Sequence, residues 1–193
     1  LGRAAATTRQ VDDRRRAQTV NLTIVILTMN EAHHLPRALD SVRGIAASTL
    51  VVDSGSTDGT PAIARERNAT VVENPWVNYA TQFNFALEQL PGDTEWVLRL
   101  DADEIVTPAL AREIAERLPS LGDSVAGVRV SRRMTFLRRP IRHGGVFPIR
   151  VVRLFRHGRG RCENRWMDEH ILVDGEVADF EGEILDDNLN SLT

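Results

Sequence analysis

Lysine is absent from this sequence, and all 24 of its basic residues are arginine. A Schiff-base lysine and a P-loop lysine are therefore both excluded. A single cysteine, Cys162, rules out a disulfide framework and fits a reducing compartment. It has no evident catalytic partner in the sequence. No apolar run reaches the ~18 residues that a bilayer span requires, and the first residues lack the apolar stretch of a signal peptide; the expected location is cytoplasmic. Neither Gly-x-Gly-x-x-Gly nor a Walker A sequence follows the first apolar run, which argues against the common dinucleotide and P-loop sites. A net charge of -3 does not favour a nucleic-acid partner.

What is present is an ordinary globular mixture, 42% hydrophobic and 26% charged over 193 residues, enough for one domain with one real core. Residues 1–20 are polar, with Arg14, Arg15 and Arg16 in a row, and read as a disordered or tag-like lead. The domain is expected to run from residue 21 to 193. Leu22 to Leu27 is a continuous β-branched and apolar run, the mark of a strand buried on both faces. A helical pattern follows through Leu35, Leu39 and Val42, then a strand from Thr49 to Val52. Pro61 opens a helix to about Asn68, and Thr70 to Val72 forms a third strand. Ala80, Phe83, Leu87 and Leu90 stripe a helix over residues 77–90. Trp96 to Leu100 is a fourth strand, and Thr107-Pro108 caps and opens a helix to about Leu118. This β-α alternation predicts an α/β, Rossmann-like, mostly parallel central sheet flanked by helices. After Val125, short strands recur without helices (Val125 to Val130, Val151 to Phe155, His170 to Val173, Val177 to Phe180). They predict a smaller mixed or antiparallel C-terminal part packed beside the first sheet.

In open α/β sheets, ligands bind at the carboxyl ends of the strands. Three polar clusters fall there: Thr28, Asn30 and Glu31 after strand one; Asp53, Ser56 and Asp58 after strand two; Asp101 and Asp103 after strand four. Without a glycine-rich phosphate loop, phosphate charge is most economically met by a divalent metal on carboxylates. Asp101 and Asp103, two apart on an extended segment, would point to one side, and such oxygen ligands suit Mg²⁺ or Mn²⁺. The competing explanation is that acids simply favour the approach to a helix N-terminus. Half of the arginines lie between Arg129 and Arg165, where Glu163 is the only acid. That segment either faces phosphates or is a solvated basic face. Within it, Arg150 and Arg153 are candidates for pyrophosphate or an anionic acceptor, and Arg142 and His143 for the acceptor; each is equally a structural salt-bridge residue. His33 and His34, adjacent on a helix, read as surface residues.

Taken together, Thr28-Met29-Asn30-Glu31, the run from Val51 to Thr60 and Leu100-Asp101-Ala102-Asp103-Glu104 resemble family 2 glycosyltransferases in kind, order and spacing. The stretch from Tyr79 to Leu87, Arg142-His143-Gly144-Gly145, Arg153-Leu154-Phe155-Arg156 and Trp166-Met167-Asp168-Glu169-His170 are similar to the branch acting in lipopolysaccharide-core and exopolysaccharide assembly. The resemblance implies a GT-A fold, with a nucleotide half over about 21–123 and an acceptor half over about 124–193. It implies an inverting, metal-dependent transfer from a nucleotide-sugar, with UDP the expected nucleotide. Thr28 and Glu31 would hold the nucleotide and Asp53 would read uracil or ribose. Asp101 would sit at the ribose or the metal, Asp103 would ligate the metal, and Gln82 and Asn84 would lie near the nucleotide-sugar. In-line displacement needs a base on the face opposite the leaving group, so it should come from the second half. Asp168 and Glu169 are the candidates, and the resemblance favours Glu169; either is otherwise a strand-edge acid.

Two departures from the family stand out. Many members carry a histidine after the last strand, where this chain has Ile184-Leu185-Asp186-Asp187-Asn188-Leu189. If Asp186 or Asp187 takes its place the site stays oxygen-rich; if neither does, the metal is held by less and bound nucleotide becomes more important. Relatives also continue into helices that touch the membrane, so the expectation is a chain truncated at its C-terminus. The acceptor is expected to be a glycan or lipid-linked glycan, with peripheral contact at the inner membrane. Two other readings are a transferase acting on polyprenyl phosphate and a catalytically silent nucleotide-sugar-binding module; the intact acidic motif opposes the second.

Overall fold

The computed structural model describes residues 20–136, 139–140, 149–165 and 170–189. The expected lead at residues 1–19, the acceptor candidates Arg142 and His143, and the base candidates Asp168 and Glu169 lie outside them.

Strand β1 (Leu22–Thr28) is buried almost throughout, as its unbroken apolar run requires. It pairs in parallel with β2 (Ser48–Asp53) on one side and with β4 (Trp96–Asp101) on the other, and β2 pairs in parallel with β3 (Thr70–Glu73). The helices α1 (Leu35–Val42), α2 (Thr60–Glu66) and α3 (Tyr79–Glu88) connect these strands, and α4 (Pro108–Arg117) follows β4. α1 buries Leu35, Ala38, Leu39 and Val42, a stripe at helical spacing. Thr107 caps α4 as expected, its side chain accepting from the Leu110 N–H. α3 is shorter than its apolar pattern predicts. Asn78 caps it and a turn begins at Gln89. The face it buries is Ala80, Gln82, Phe83 and Ala86, while Leu87 and Leu90 stay partly exposed.

The C-terminal strands continue the same sheet. β8 (Ile149–Arg156) runs antiparallel to β4 and to β6 (Val125–Phe136); β11 (Glu176–Asp186) lies parallel to β6 and antiparallel to β5 (Glu104–Val106). The order β3-β2-β1-β4-β8-β6-β11-β5, with β7 (Arg139–Pro140) paired to β6, makes a nine-stranded mixed sheet. β9 (Gly160–Cys162) and β10 (Ile171–Val173) form a separate antiparallel pair. One face of the sheet packs Ile24, Ile26, Trp96, Leu98 and Leu100 against α1, α2 and α4. The other packs Val25, Val97 and Phe155 against α3 and the β9–β10 pair. Three short strands, β5, β7 and β9, escape a pattern reading because two or three residues show no period. No described helix is long and apolar enough to cross a membrane.

One contact pins the last strand. The register of β11 against β6 shifts between Asp179 and Glu183, which frees the N–H groups of Glu181 and Gly182 from the ladder. Both donate to the Glu113 carboxylate of α4, at 2.9 and 2.8 Å. Burial would raise the pKa of Glu113, but these two N–H groups and Arg117 outweigh it and hold it below the usual range. Glu113→Ala is expected to cost about 1–3 kcal/mol, the penalty for stranding such donors. Urea unfolding would show it, with Glu113→Gln recovering part of the loss; an unchanged midpoint would contradict this role.

Candidate active site

The parallel registers bring the three polar clusters level. Thr28 lies opposite Asp53, and Leu27 opposite Asp101, so the carboxyl ends of β2, β1 and β4 form one continuous rim. The first two loops are zipped together. Asn30 takes up a left-handed conformation (φ 58°), which asparagine tolerates better than most residues. Its N–H donates to Ser56 Oγ at 2.8 Å, and its Oδ1 accepts from the Thr57 N–H at 2.8 Å. The Glu31 N–H donates to Thr60 Oγ1, and the Ala32 N–H to Asp58 Oδ2. Burial acts to raise the pKa of Asp58, but the Thr60 hydroxyl and the N–H groups of Thr60 and Ala32 bring it below the ordinary value.

Asp53 organises this pair of loops. It is buried, and it accepts from Thr28 Oγ1 at 3.0 Å, Ser56 Oγ at 2.6 Å, the Gly55 N–H at 3.0 Å and the Ser56 N–H at 2.8 Å. A carboxylate has about four acceptor sites, and all are taken within the chain. Gln82, fully buried on α3, ties the same region down from below. It donates to Ser54 Oγ and the Asn74 carbonyl and accepts from Asn74 Nδ2. Asn84 is not brought to this rim; its amide pairs with the backbone N–H and C=O of Cys162 in β9.

The acidic motif is a tight turn. β4 ends at Asp101, Ala102 and Asp103 form the turn, and β5 begins at Glu104. The extended geometry expected for Asp101 and Asp103 is therefore corrected. The Asp101 N–H donates across the turn to Glu104 Oε2 at 2.9 Å. Asp103, half-buried, accepts from Asn188 Nδ2 at 3.0 Å, and its carbonyl from the Asp187 N–H at 3.0 Å.

Beneath the turn lies a buried charge network. Arg153, only 6% exposed, donates through Nη2 to Asp101 Oδ2 at 3.1 Å and to Glu104 Oε1 at 2.6 Å. Arg132 bridges Glu104 and Asp186, at 3.0 and 2.7 Å, and Arg99 lies 3.6 Å from Asp101. Burial alone would raise Asp101, but Arg153, Arg99 and Arg132 together hold it at about 2. Glu104 goes the other way. Burial, reinforced by the Asp101 charge, pushes it up to about 7 against the pull of Arg153. Burial also raises Asp186, with Asp103 and Asp101 adding to the shift and Arg132 opposing it.

The other candidates are dispersed. Arg150 is spent on the Phe180 carbonyl and Asp179, at 2.8 and 3.2 Å. Elsewhere in the arginine-rich stretch, Arg129 pairs with Asp179, Arg133 with Glu183, and Arg165 with Glu163, while Arg156 and Arg159 bind backbone carbonyls. Much of that stretch is thus internal salt bridging, β6 and β8 answering the acids of β5 and β11. The surface reading of His34 is corrected: it is 3% exposed, its Nδ1 lies 2.7 Å from Glu31 Oε2, and its Nε2 accepts from the Leu189 N–H. Asp187 is held by Arg37 and Thr135. The residues overlooked in the sequence are Glu104, Arg132, His34 and Asn188. Glu104 adjoins the acidic motif and was open to notice; Arg132, 28 positions away, was not.

Among the described residues, no three His, Cys, Asp or Glu side chains form a ready metal cage. The donors on the rim, Asp101 and Asp103, are hard carboxylate oxygens of the kind that hold Mg²⁺ or Mn²⁺ together with water and substrate phosphate.

Comparisons with known proteins agree with this geometry. The chain is 34% identical over 163 residues to the lipopolysaccharide core biosynthesis glycosyltransferase LpsC of Rhizobium meliloti, covering 81% of this chain and 59% of that protein. It is 43% identical over 96 residues to the uncharacterized glycosyltransferase RC0292 of Rickettsia conorii, covering 50% of this chain and 33% of that one. The chain thus spans between a third and three-fifths of the length of these two relatives. Among solved structures, glucosyl-3-phosphoglycerate synthase of Mycobacterium tuberculosis, in complex with Mn²⁺, UDP and glucosyl-3-phosphoglycerate, superimposes with a TM-score of 0.50 at 20% identity, over 69% of this chain and 50% of that one. That likeness shows the GT-A fold. The family model for glycosyl transferase family 2 matches residues 23–178, from β1 into β11, and takes in all three strand-end clusters. On that match this chain belongs to glycosyl transferase family 2.

Proposed function

We propose that this chain moves a sugar from a UDP-sugar to a hydroxyl group of a growing bacterial surface glycan or glycolipid, with inversion at the anomeric carbon. The observation that carries the reading is the acidic turn Asp101–Asp103, level with the interlocked loops after β1 and β2. The glycan class rests on the name of the LpsC relative.

The nucleotide would lie along Thr28, Asn30, Glu31, Ser56 and Asp58. Asp53 and Gln82 set the shape of that groove. Asp103, with Asp101, would hold a divalent cation, Mg²⁺ or Mn²⁺, which when bound offsets the charge developing on the departing diphosphate. The acceptor oxygen attacks the anomeric carbon as the bond to the diphosphate oxygen breaks. The electron pair leaves with UDP, and the hydroxyl proton passes to a carboxylate, Glu169 or Asp168.

A panel of UDP-sugars with Mn²⁺, assayed for UDP release with and without lipopolysaccharide-core acceptor, tests this. One donor should give acceptor-stimulated release. Glu169→Gln or Asp168→Asn should reduce it by about 10²–10⁴-fold, the usual contribution of a general base, with UDP affinity unchanged. Full turnover in both variants would remove these carboxylates from the mechanism.

A further inference from the structure

The network under the acidic turn already pairs its carboxylates with guanidinium groups before any ligand arrives. Three carboxylates (Asp101, Glu104 and Asp186) face three guanidinium groups (Arg99, Arg132 and Arg153) within 2.6–3.6 Å. Asp101, one of the two rim carboxylates, already has Arg153 and Arg99 against it. Asp103 stands outside this set. A divalent cation on Asp101 and Asp103 would therefore meet one uncompensated carboxylate and two nearby positive charges.

A cation on Asp101 would sit beside the guanidinium groups that already hold that carboxylate, and like charges placed so close repel one another. A free cation would be poorly held. A cation arriving with a diphosphate, which carries about two negative charges in a UDP-sugar and about three in UDP at neutral pH, no longer brings net positive charge to the site. Among the described residues, the buried Nε–H of the Arg153 guanidinium has no hydrogen-bond partner. Its pairing with the carboxylates is incomplete, which leaves it able to redistribute its bonds when the charge beside Asp101 changes.

We propose that Arg153 is a positioning residue that stands in for the metal at Asp101, so that the site takes a divalent cation only together with a nucleoside diphosphate. This rests on the glycosyltransferase reading of the same site. Arg153 holds the Asp101 carboxylate in place in the ligand-free enzyme, and it makes metal binding conditional on the nucleotide. The site selects a metal–diphosphate unit over its parts.

Mn²⁺ binding followed by electron paramagnetic resonance, with the nucleotide absent or present, tests the inference without turnover. In the wild-type chain, Mn²⁺ alone should bind at least 100-fold more weakly than Mn²⁺ with saturating UDP. Arg153→Met should tighten binding of Mn²⁺ alone by at least tenfold and shrink that ratio. Because Arg153 also supports the fold, Arg99→Met is measured in parallel; it removes the weaker partner of Asp101 and should tighten Mn²⁺ alone by a smaller factor. Wild-type Mn²⁺ binding that is equally tight with and without UDP would overturn the inference, as would no gain in a folded variant. Failure of UDP to bind under any condition would instead sink the glycosyltransferase reading, so the two failures are distinguishable.

Discussion

Arg153→Ala is expected to destabilise the fold by about 3–5 kcal/mol, the cost of removing one partner from a buried ion pair. The guanidinium is 6% exposed and serves both Asp101 and Glu104. Glu104 is fully buried, so water cannot replace the lost partner. A proton on Glu104, already pushed up to about 7, would relieve part of the loss. The double variant Arg153→Met with Glu104→Gln should therefore be less damaging than the sum of its single changes, because the two sites share one network. Urea denaturation of the three variants measures this. A loss of stability below about 1 kcal/mol, accompanied by a large loss of UDP affinity, would mean that Arg153 acts as a pyrophosphate contact, one of the roles the sequence alone offered it.

Asp103→Ala should leave the fold nearly intact and abolish function. Asp103 is half-buried on a turn, and its carboxylate accepts from the exposed Asn188 amide, a charge-assisted hydrogen bond whose contribution of about 1.5–3 kcal/mol is reduced by solvent. If it holds the cation against the diphosphate, its removal should reduce transfer by at least 10²–10³-fold, the range seen when one preorganised electrostatic contact is lost. The contrast with Arg153 is the informative part. One residue is expected to fail in stability and the other in chemistry, although they lie on either side of the same turn.

Much of this was legible in the residues themselves. The run Leu22–Leu27 fitted a strand covered on both faces, and Thr107-Pro108 marked a helix start; the structure reproduces both. The strand-end clusters at Thr28–Glu31, Asp53–Asp58 and Asp101–Asp103 lie level on one rim, at the carboxyl ends of the strands where open α/β sheets generally bind ligands. Long-range pairing was not legible. Nothing local shows that Arg132 meets Glu104, or that His34 is buried between Glu31 and the backbone of Leu189. Both depend on β6 and β11 joining the sheet beyond β8, and two strand segments in a sequence do not state their partner. The three-residue strand β5 was hidden for a related reason: among the described residues it pairs with β11 alone, and without it the acidic motif reads as extended chain. The role of Asp53 also shifted in emphasis. A conspicuous acid after a strand invites a ligand, yet here its acceptor sites are filled by the loop that it shapes.

Calorimetry of UDP binding, with and without Mn²⁺, on the wild-type chain and on Asp103→Ala tests the central claim most directly. The account predicts binding that depends on Mn²⁺ in the wild type and is lost in the variant. UDP binding of equal strength with and without Mn²⁺, or equal binding in Asp103→Ala, would contradict it.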